Sequence, residues 1–148
     1  MTYKIYQEDP EDDYAVSCLV ARIFGPGRFT KSAYRYRDMQ DHISELAFVV
    51  KNHLGRIVGT IRCWHMDHIA HDILLGPIAV DGDLRNMGLG INLMEASLEK
   101  ANLLGYKRVI LVGDIEYYNK FGFAHPKQGK ITFAGPVKQN RLLEKWLL

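Results

Sequence analysis

The residues with the plainest chemical potential are Arg85-Asn86-Met87-Gly88-Leu89-Gly90, set between an apolar run that ends at Val80 and a long helical pattern. A strand, a glycine loop and a helix start, in that order, make an anion site. The first N–H groups of a helix have no acceptor within it, the helix dipole favours negative charge, and glycine lets a ligand approach the backbone. Arg85 adds a charge-assisted contact suited to a phosphate. Two nucleotide motifs fail on this loop. A Walker-type loop needs Gly-Lys-Ser/Thr, whereas Ile91-Asn92 follows Gly90. The dinucleotide fingerprint needs a small residue where Leu93 stands, and an acid about 20 positions on, where Lys107 and Arg108 stand. What remains is R-x-x-G-x-G, a loop that holds a pyrophosphate by its backbone and needs no metal.

Other polar groups invite chemistry less strongly. His65, His68 and His71 alternate with Asp67 and Asp72. On an open strand-to-loop segment this spacing does not converge as two histidines on one helix face do, so a solvated loop is expected and no metal site. Cys18 and Cys63 are far apart and belong to no CxxC pair, so two partly buried free thiols are expected. Tyr34, Arg35, Tyr36 and Arg37 alternate aromatic with base. Single-strand nucleic-acid binders do the same, but one short cluster reads better as a pocket wall or as surface.

The elements that must position these groups follow from composition and period. The chain has 148 residues, 47% hydrophobic and 24% charged, with Lys+Arg 19 against Asp+Glu 17. Such a length and apolar fraction predict one domain spanning 1–148 with a single core. A net charge of +2 supplies no broad field for nucleic acid or an anionic membrane, so any anion site is local. The N-terminus carries no apolar leader and no run reaches the roughly 20 residues of a membrane helix, which makes a cytoplasmic location the expectation.

Residues 3–7 read as a short strand. Asp9 is placed as N-cap with Pro10 at the first helical position, opening a helix that Gly25-Pro26-Gly27 ends. A looser helical stretch covers 30–38. Strands over 46–51 and 56–66 flank the turn Asn52-His53-Leu54-Gly55. Residues 73–80 read as a buried strand, interrupted at Gly76-Pro77, where a bulge or break is expected because proline donates nothing to a ladder. A helix over 88–104 buries Ile91, Met94, Leu98 and Ala101 and stops at Gly105. Then come a strand over 108–112, a short helix over 115–121 ended by Gly122, a strand over 131–133 and an amphipathic tail helix over 141–147. The fold class is α+β: a mixed sheet, antiparallel in its front half, with one parallel crossover.

The stretch from Gly76 to Phe123 resembles the acyl-CoA core of the GNAT N-acetyltransferase superfamily. Three pieces match in order: an apolar strand ending in Ala79-Val80, the Arg85-x-x-Gly88-x-Gly90 loop opening a long helix, and Tyr118-x-Lys120-x-Gly122-Phe123 after the next strand. Together they span about a third of the chain. The phrase from Leu111 to Phe123, with a later Gly135-Pro136-Val137, is similar to a branch of small bacterial acetyltransferases. The resemblance implies a mostly antiparallel sheet with splayed parallel strands 4 and 5, flanked by helices, and acetyl-CoA as co-substrate without a metal. It implies that the amides of Met87, Gly88, Leu89, Gly90 and Ile91, with Arg85 beside them, bind the pyrophosphate. Backbone at Ile78, Ala79 and Val80 would hold the pantetheine arm like an added strand and polarise the thioester carbonyl. Tyr118 stands where the family places the general acid to the CoA thiolate; Tyr117 is the alternative that the spacing to Gly122-Phe123 disfavours.

The sequence departs from better-known members at the general base. Where many carry a glutamate on the fourth strand, this strand is apolar, and Glu45, Asp67, His65 or a water chain are the substitutes. The acceptor is a small-molecule or peptide amine, with tyrosines and arginines 34–37 as the wall of its pocket. A homodimer is a further implication of the resemblance. The rival expectation is an acyl-CoA-binding sensor or interaction module that does not turn over.

Overall fold

The computed structural model describes residues 2–30, 32–38, 40–66, 71–126, 131, 133 and 135–148. Six strands form one mixed sheet in sequential order: β1 (Lys4–Gln7), β2 (Phe48–Lys51), β3 (Ile57–His65), β4 (Asp72–Val80), β5 (Arg108–Val112) and β6 (Leu142–Trp146). All neighbours are antiparallel except β4 and β5, which are parallel and joined by helix α3 (Leu89–Leu103). The remaining helices are α1 (Asp13–Phe24), the single turn α2 (Arg35–Asp38) and α4 (Ile115–Tyr118). This is the α+β class with a splay-capable parallel pair that the sequence predicts.

Local chemistry explains the ends of the elements. The Asp12 carboxylate accepts a hydrogen bond from the Asp9 N–H at 2.9 Å, and Pro10 opens a 3-10 turn that feeds α1. Gly25, at φ 69°, releases the chain. The looser stretch over 30–38 resolves into two 3-10 turns followed by α2.

Strand alternation sends adjacent residues to opposite faces, and the sheet is buried on both. On one face Val50, Ile61, Cys63, Leu75, Leu111 and Leu143 pack with Leu93 and Met94 of α3. On the other, Val49 meets Val16 and Val20 of α1, while Trp64, Leu74, Ile110 and Leu142 pack with Tyr36. The neighbours Leu74 and Leu75, Ile110 and Leu111, Leu142 and Leu143 thus divide between the two layers.

Three expectations are corrected. Residues 141–147 form no tail helix. Leu142–Trp146 is a strand, paired from Val112↔Leu142 to Arg108↔Trp146. Consecutive buried leucines look helical, but here they fill both faces of a sheet whose last strand would otherwise be left as an edge; long-range pairing overrides local pattern. Ile131 and Phe133, the described members of the expected strand over 131–133, belong to no strand. They pack into the Tyr36 layer, with the Phe133 ring centroid 5.2 Å from that of Tyr36. In α3 the buried stripe is Leu89, Leu93, Met94, Ser97 and Ala101; Ile91 is exposed and Leu98 half-buried. Ser97 tolerates burial because its hydroxyl donates to the Leu46 carbonyl at 3.0 Å, and that polar residue disguises the true stripe. Of the two free thiols, Cys63 is buried and Cys18 exposed.

Candidate active site

The interruption at Gly76-Pro77 is where the site begins. Ile61 pairs with Ile78, but Cys63 pairs with Leu75, so β4 carries one extra residue against β3. The extra residue lets Leu75 and Ile78, three positions apart, serve the same layer. Gly76 sits at φ 142°, and its peptide bond to Pro77 is cis. Its carbonyl is tied down by the Trp64 indole N–H at 2.6 Å. The ladder to β5 holds only at Asp72↔Arg108, Ile73↔Val109 and Leu74↔Ile110. Beyond Leu74 the two parallel strands part, and β4 runs on through Leu75–Val80 without β5.

The paired end of this fork is clamped by charge. The Arg108 guanidinium on β5 donates to Asp72 on β4, with Nε at 3.0 Å from Oδ2, and to Glu144 on β6 at 3.2 Å. Both carboxylates are buried. Hydrogen bonds donated to the Asp72 carboxylate hold the Arg108 pKa above its ordinary value against the opposing pull of burial.

The glycine loop stands at the open end. Asn86 and Gly88 have φ 72° and φ 77°, the left-handed region that glycine, and next asparagine, adopt at least cost. Gly88 caps α3, and the first helical bond runs from the Asn92 N–H to the Gly88 carbonyl at 3.1 Å. The amides of Gly88, Leu89, Gly90 and Ile91 therefore issue from the helix end without acceptors within it. Arg85 and Met87 are exposed beside them. A Cβ on Gly90 would lie 3.6 Å from Tyr117 Oη and 3.9 Å from Val80 Cγ2, ordinary contacts that nothing in the protein forbids. The loop, the end of β4 and α4 thus converge on one point.

Tyr118 lies across the fork on α4, whose N-cap is Asp114. Its N–H donates to the Asp114 carbonyl at 3.0 Å. Its ring meets Tyr117 and Phe123 edge-on, at centroid distances of 4.9 and 6.1 Å. Gly113 makes room for it: a Cβ there would overlap ring atom Cε2 and stand 2.9 Å from Cδ2. Burial pushes the Tyr118 phenol up to about 12, Tyr117 and Asp114 adding to the shift and Arg141 opposing it.

A cleft of about 950 Å³ opens between the parted strands, with Leu75, Gly76 and Ile78 on one side and Leu111, Val112 and Tyr118 on the other. Tyr34, Arg35 and Arg37 do line it, as the pocket-wall reading expects; Tyr36 is buried instead. Ile78 reaches the cleft, Ala79 is buried, and Val80 faces the loop. Glu45 and His65 do not reach it. Glu45 is exposed, its carboxyl held below the usual range by its own backbone N–H and the Ser44 hydroxyl. Asp67 and His68 lie outside the described residues. Among those described, Asp114 is the one carboxylate lining the cleft, and it is ion-paired with Arg141. No three His, Cys, Asp or Glu side chains are grouped so as to hold a metal ion among the described residues.

The residues that the spacing did not reveal are Trp64 and Gly113. Each acts through a partner distant in sequence, or through the absence of a side chain. Only the glycine before Asp114 left a local signal.

The sequence model of the Acetyltransferase (GNAT) family matches residues 3–123. This chain belongs to that family. Its GNAT relatives include an uncharacterized N-acetyltransferase, YhbS of Escherichia coli K12, 29% identical over 119 residues that cover 78% of this chain and 70% of YhbS. The crystal structure of E. coli YhbS in complex with CoA superposes with a TM-score of 0.78 at 22% identity, over 99% of this chain and 82% of that one. A GNAT acetyltransferase from Brucella melitensis in complex with acetyl-CoA gives 0.68 at 21% identity, over 91% and 96%. The GNAT fold therefore extends over nearly the whole chain, beyond the segment whose motifs are legible, and neighbours of this fold hold CoA or acetyl-CoA. No helix among the described residues is long and apolar enough to cross a membrane.

Proposed function

We propose that this single domain binds acetyl-CoA across the β4–β5 fork and transfers the acetyl group directly to a primary amine. The observation that supports it most is the convergence of three features: a parallel pair that parts after Leu74, an α3 N-terminus with open amides at its lip, and a protonated phenol across it. Residues 78–80 offer β4 backbone to the pantetheine amides as an added strand would. The amides of residues 87–91 and the Arg85 guanidinium take the pyrophosphate.

In the transfer, the neutral amine nitrogen attacks the thioester carbonyl, the C–N bond forms, the C–S bond breaks, and the sulfur leaves as a thiolate that takes one proton. The substrate ammonium gives up one further proton to solvent. The thiolate's proton is the one the nitrogen sheds on becoming an amide; Tyr118 relays it, its phenol donating toward the sulfur and regaining a proton from the nitrogen. With its phenol near 12 and a thiol near 8.5, complete transfer to a free thiolate is uphill by roughly a thousandfold. The phenol therefore acts chiefly as a hydrogen-bond donor to the developing charge, which desolvation in the cleft makes more basic. That places its contribution at about 100-fold, the low end for acid catalysis.

A second reading has a specific observation behind it. The cleft contains no carboxylate or imidazole among the described residues apart from the ion-paired Asp114, which suits a protein that binds acyl-CoA without turnover. The cations around the cleft weaken that objection, because nearby positive charge lowers the pKa of a bound ammonium and supplies neutral amine without a base. Release of free thiol from acetyl-CoA, measured across a panel of amines, separates the readings. We expect wild-type turnover on at least one amine and a loss of about 100-fold in kcat for Tyr118→Phe. A Tyr118→Phe variant as fast as wild type removes the residue from its role.

A further inference from the structure

The sheet separates two anion-attracting regions. The loop over 85–91 belongs to the α3 layer, where Leu75, Leu93, Leu111 and Tyr118 pack together. The segment that carries Tyr34 and Arg37 belongs to the opposite layer: Tyr36 between them packs with Trp64, Leu74 and Ile110. A CoA pyrophosphate seated on the α3 end would thus lie in the layer opposite the one that holds Tyr36, Trp64 and Arg37.

That second region is strongly biased in charge. Among the described residues lining the cleft, five are cations (Arg28, Arg35, Arg37, Lys138 and Arg141) and one, Asp114, is an acid. Arg37 is the cation at the bulge. Its guanidinium carbon is 4.6 Å from the Tyr34 ring centroid and 5.8 Å from that of Trp64. A Cβ on Gly76 would stand 3.4 Å from its Nη2, so the group sits against the bulge where the fork opens. Both rings lie within cation–π range of the guanidinium, and a planar fork of five donors serves several acceptors at once, carboxylate and phosphate best.

We propose that the acceptor is a small-molecule primary amine that carries an anionic group, a carboxylate or a phosphate, held by Arg37 and the basic mouth on the α1 face of the cleft. The inference rests on the acetyltransferase reading of the fork and adds the substrate class. The cleft volume of about 950 Å³, shared with the thioester end of CoA, suits a small molecule, since such sites span roughly 300–1,000 Å³. Polyamines and lysine-rich segments are disfavoured by the same charges.

The test uses the full-length protein saturated with CoA, titrated calorimetrically with matched pairs of amines. Phenylalanine against phenethylamine carries the carboxylate arm, glucosamine 6-phosphate against glucosamine the phosphate arm, and spermidine is the polycation. Thiol release from acetyl-CoA is measured on the same set. We expect the anionic member of at least one pair to bind, and where turned over to react, about tenfold or more better than the partner that lacks the anionic group. Arg37→Gln should erase that ratio, Lys138→Gln, exposed at the mouth, should reduce it, and Arg56→Gln, on the β2–β3 turn, should leave it intact. CoA affinity should be unchanged in all three. Equal binding within both pairs, a preference for the members without the anionic group or for spermidine, or an unaltered ratio in both Arg37→Gln and Lys138→Gln overturns the inference while the acetyltransferase reading stands. Failure of wild-type protein to bind CoA defeats that reading instead.

Discussion

Two glycines in the site do opposite work, and neither is explained by flexibility. Gly113 is required by the protein itself, because a Cβ would enter the space of the Tyr118 ring. Overpacking of this kind costs about 1–3 kcal/mol or forces the ring aside. Gly113→Ala is therefore expected to lower the unfolding free energy by that amount and to reduce turnover toward the Tyr118→Phe level; denaturant unfolding and thiol release check both. An intact rate with lost stability would show that the ring's place is structural. Gly90 is different. It lies within the first turn of α3, where glycine costs about 1 kcal/mol relative to alanine, and a Cβ there would meet the protein only at ordinary contact distances. Under the proposed function, the room it keeps is room for CoA on the amides. Gly90→Ala thus separates folding from binding, which few positions in a site allow.

At the scale of elements, the fork exists because one end of a parallel pair is held and the other is pushed apart. Arg108 binds Asp72 and Glu144 across three strands at the held end. The left-handed Gly76 and the Trp64 bond to its carbonyl set the bulge at the free end. Removing Arg108 leaves two buried carboxylates without their cation, a loss of about 3–5 kcal/mol. Arg108→Ala should accordingly be the most destabilising single change among the site's supports, read as a shift in the denaturant midpoint. A change within about 1 kcal/mol would mean that hydrophobic pairing alone holds β4, β5 and β6 in register.

For the whole molecule, what was legible in the sequence was whatever is decided locally. The loop from Arg85 to Gly90 could be read because positive φ and an uncapped helix start are properties of a few consecutive residues. The break at Gly76-Pro77 could be read because proline lacks an N–H. The residues 142–146 could not, since Leu-Leu-Glu-Lys-Trp carries no strand alternation and becomes β6 only when β5 offers its edge and both layers accept a leucine. Trp64 was equally silent, because its role depends on a contact made across the fold. Long-range ion pairs tie the same layers together: Arg62 on β3 reaches Glu8 after β1 at 2.6 Å and Asp13 of α1 at 2.9 Å, both far along the chain.

The account turns on one claim, that the parted strands and the α3 end together bind CoA. Calorimetric titration of the protein with CoA, for wild type and Gly90→Ala in parallel, tests it most directly. One CoA should bind per wild-type chain, and at least about tenfold more weakly to Gly90→Ala, even though that variant should be as stable as wild type or up to about 1 kcal/mol more so. Absence of binding to wild type at millimolar CoA would contradict the claim, as would equal affinity for the two proteins.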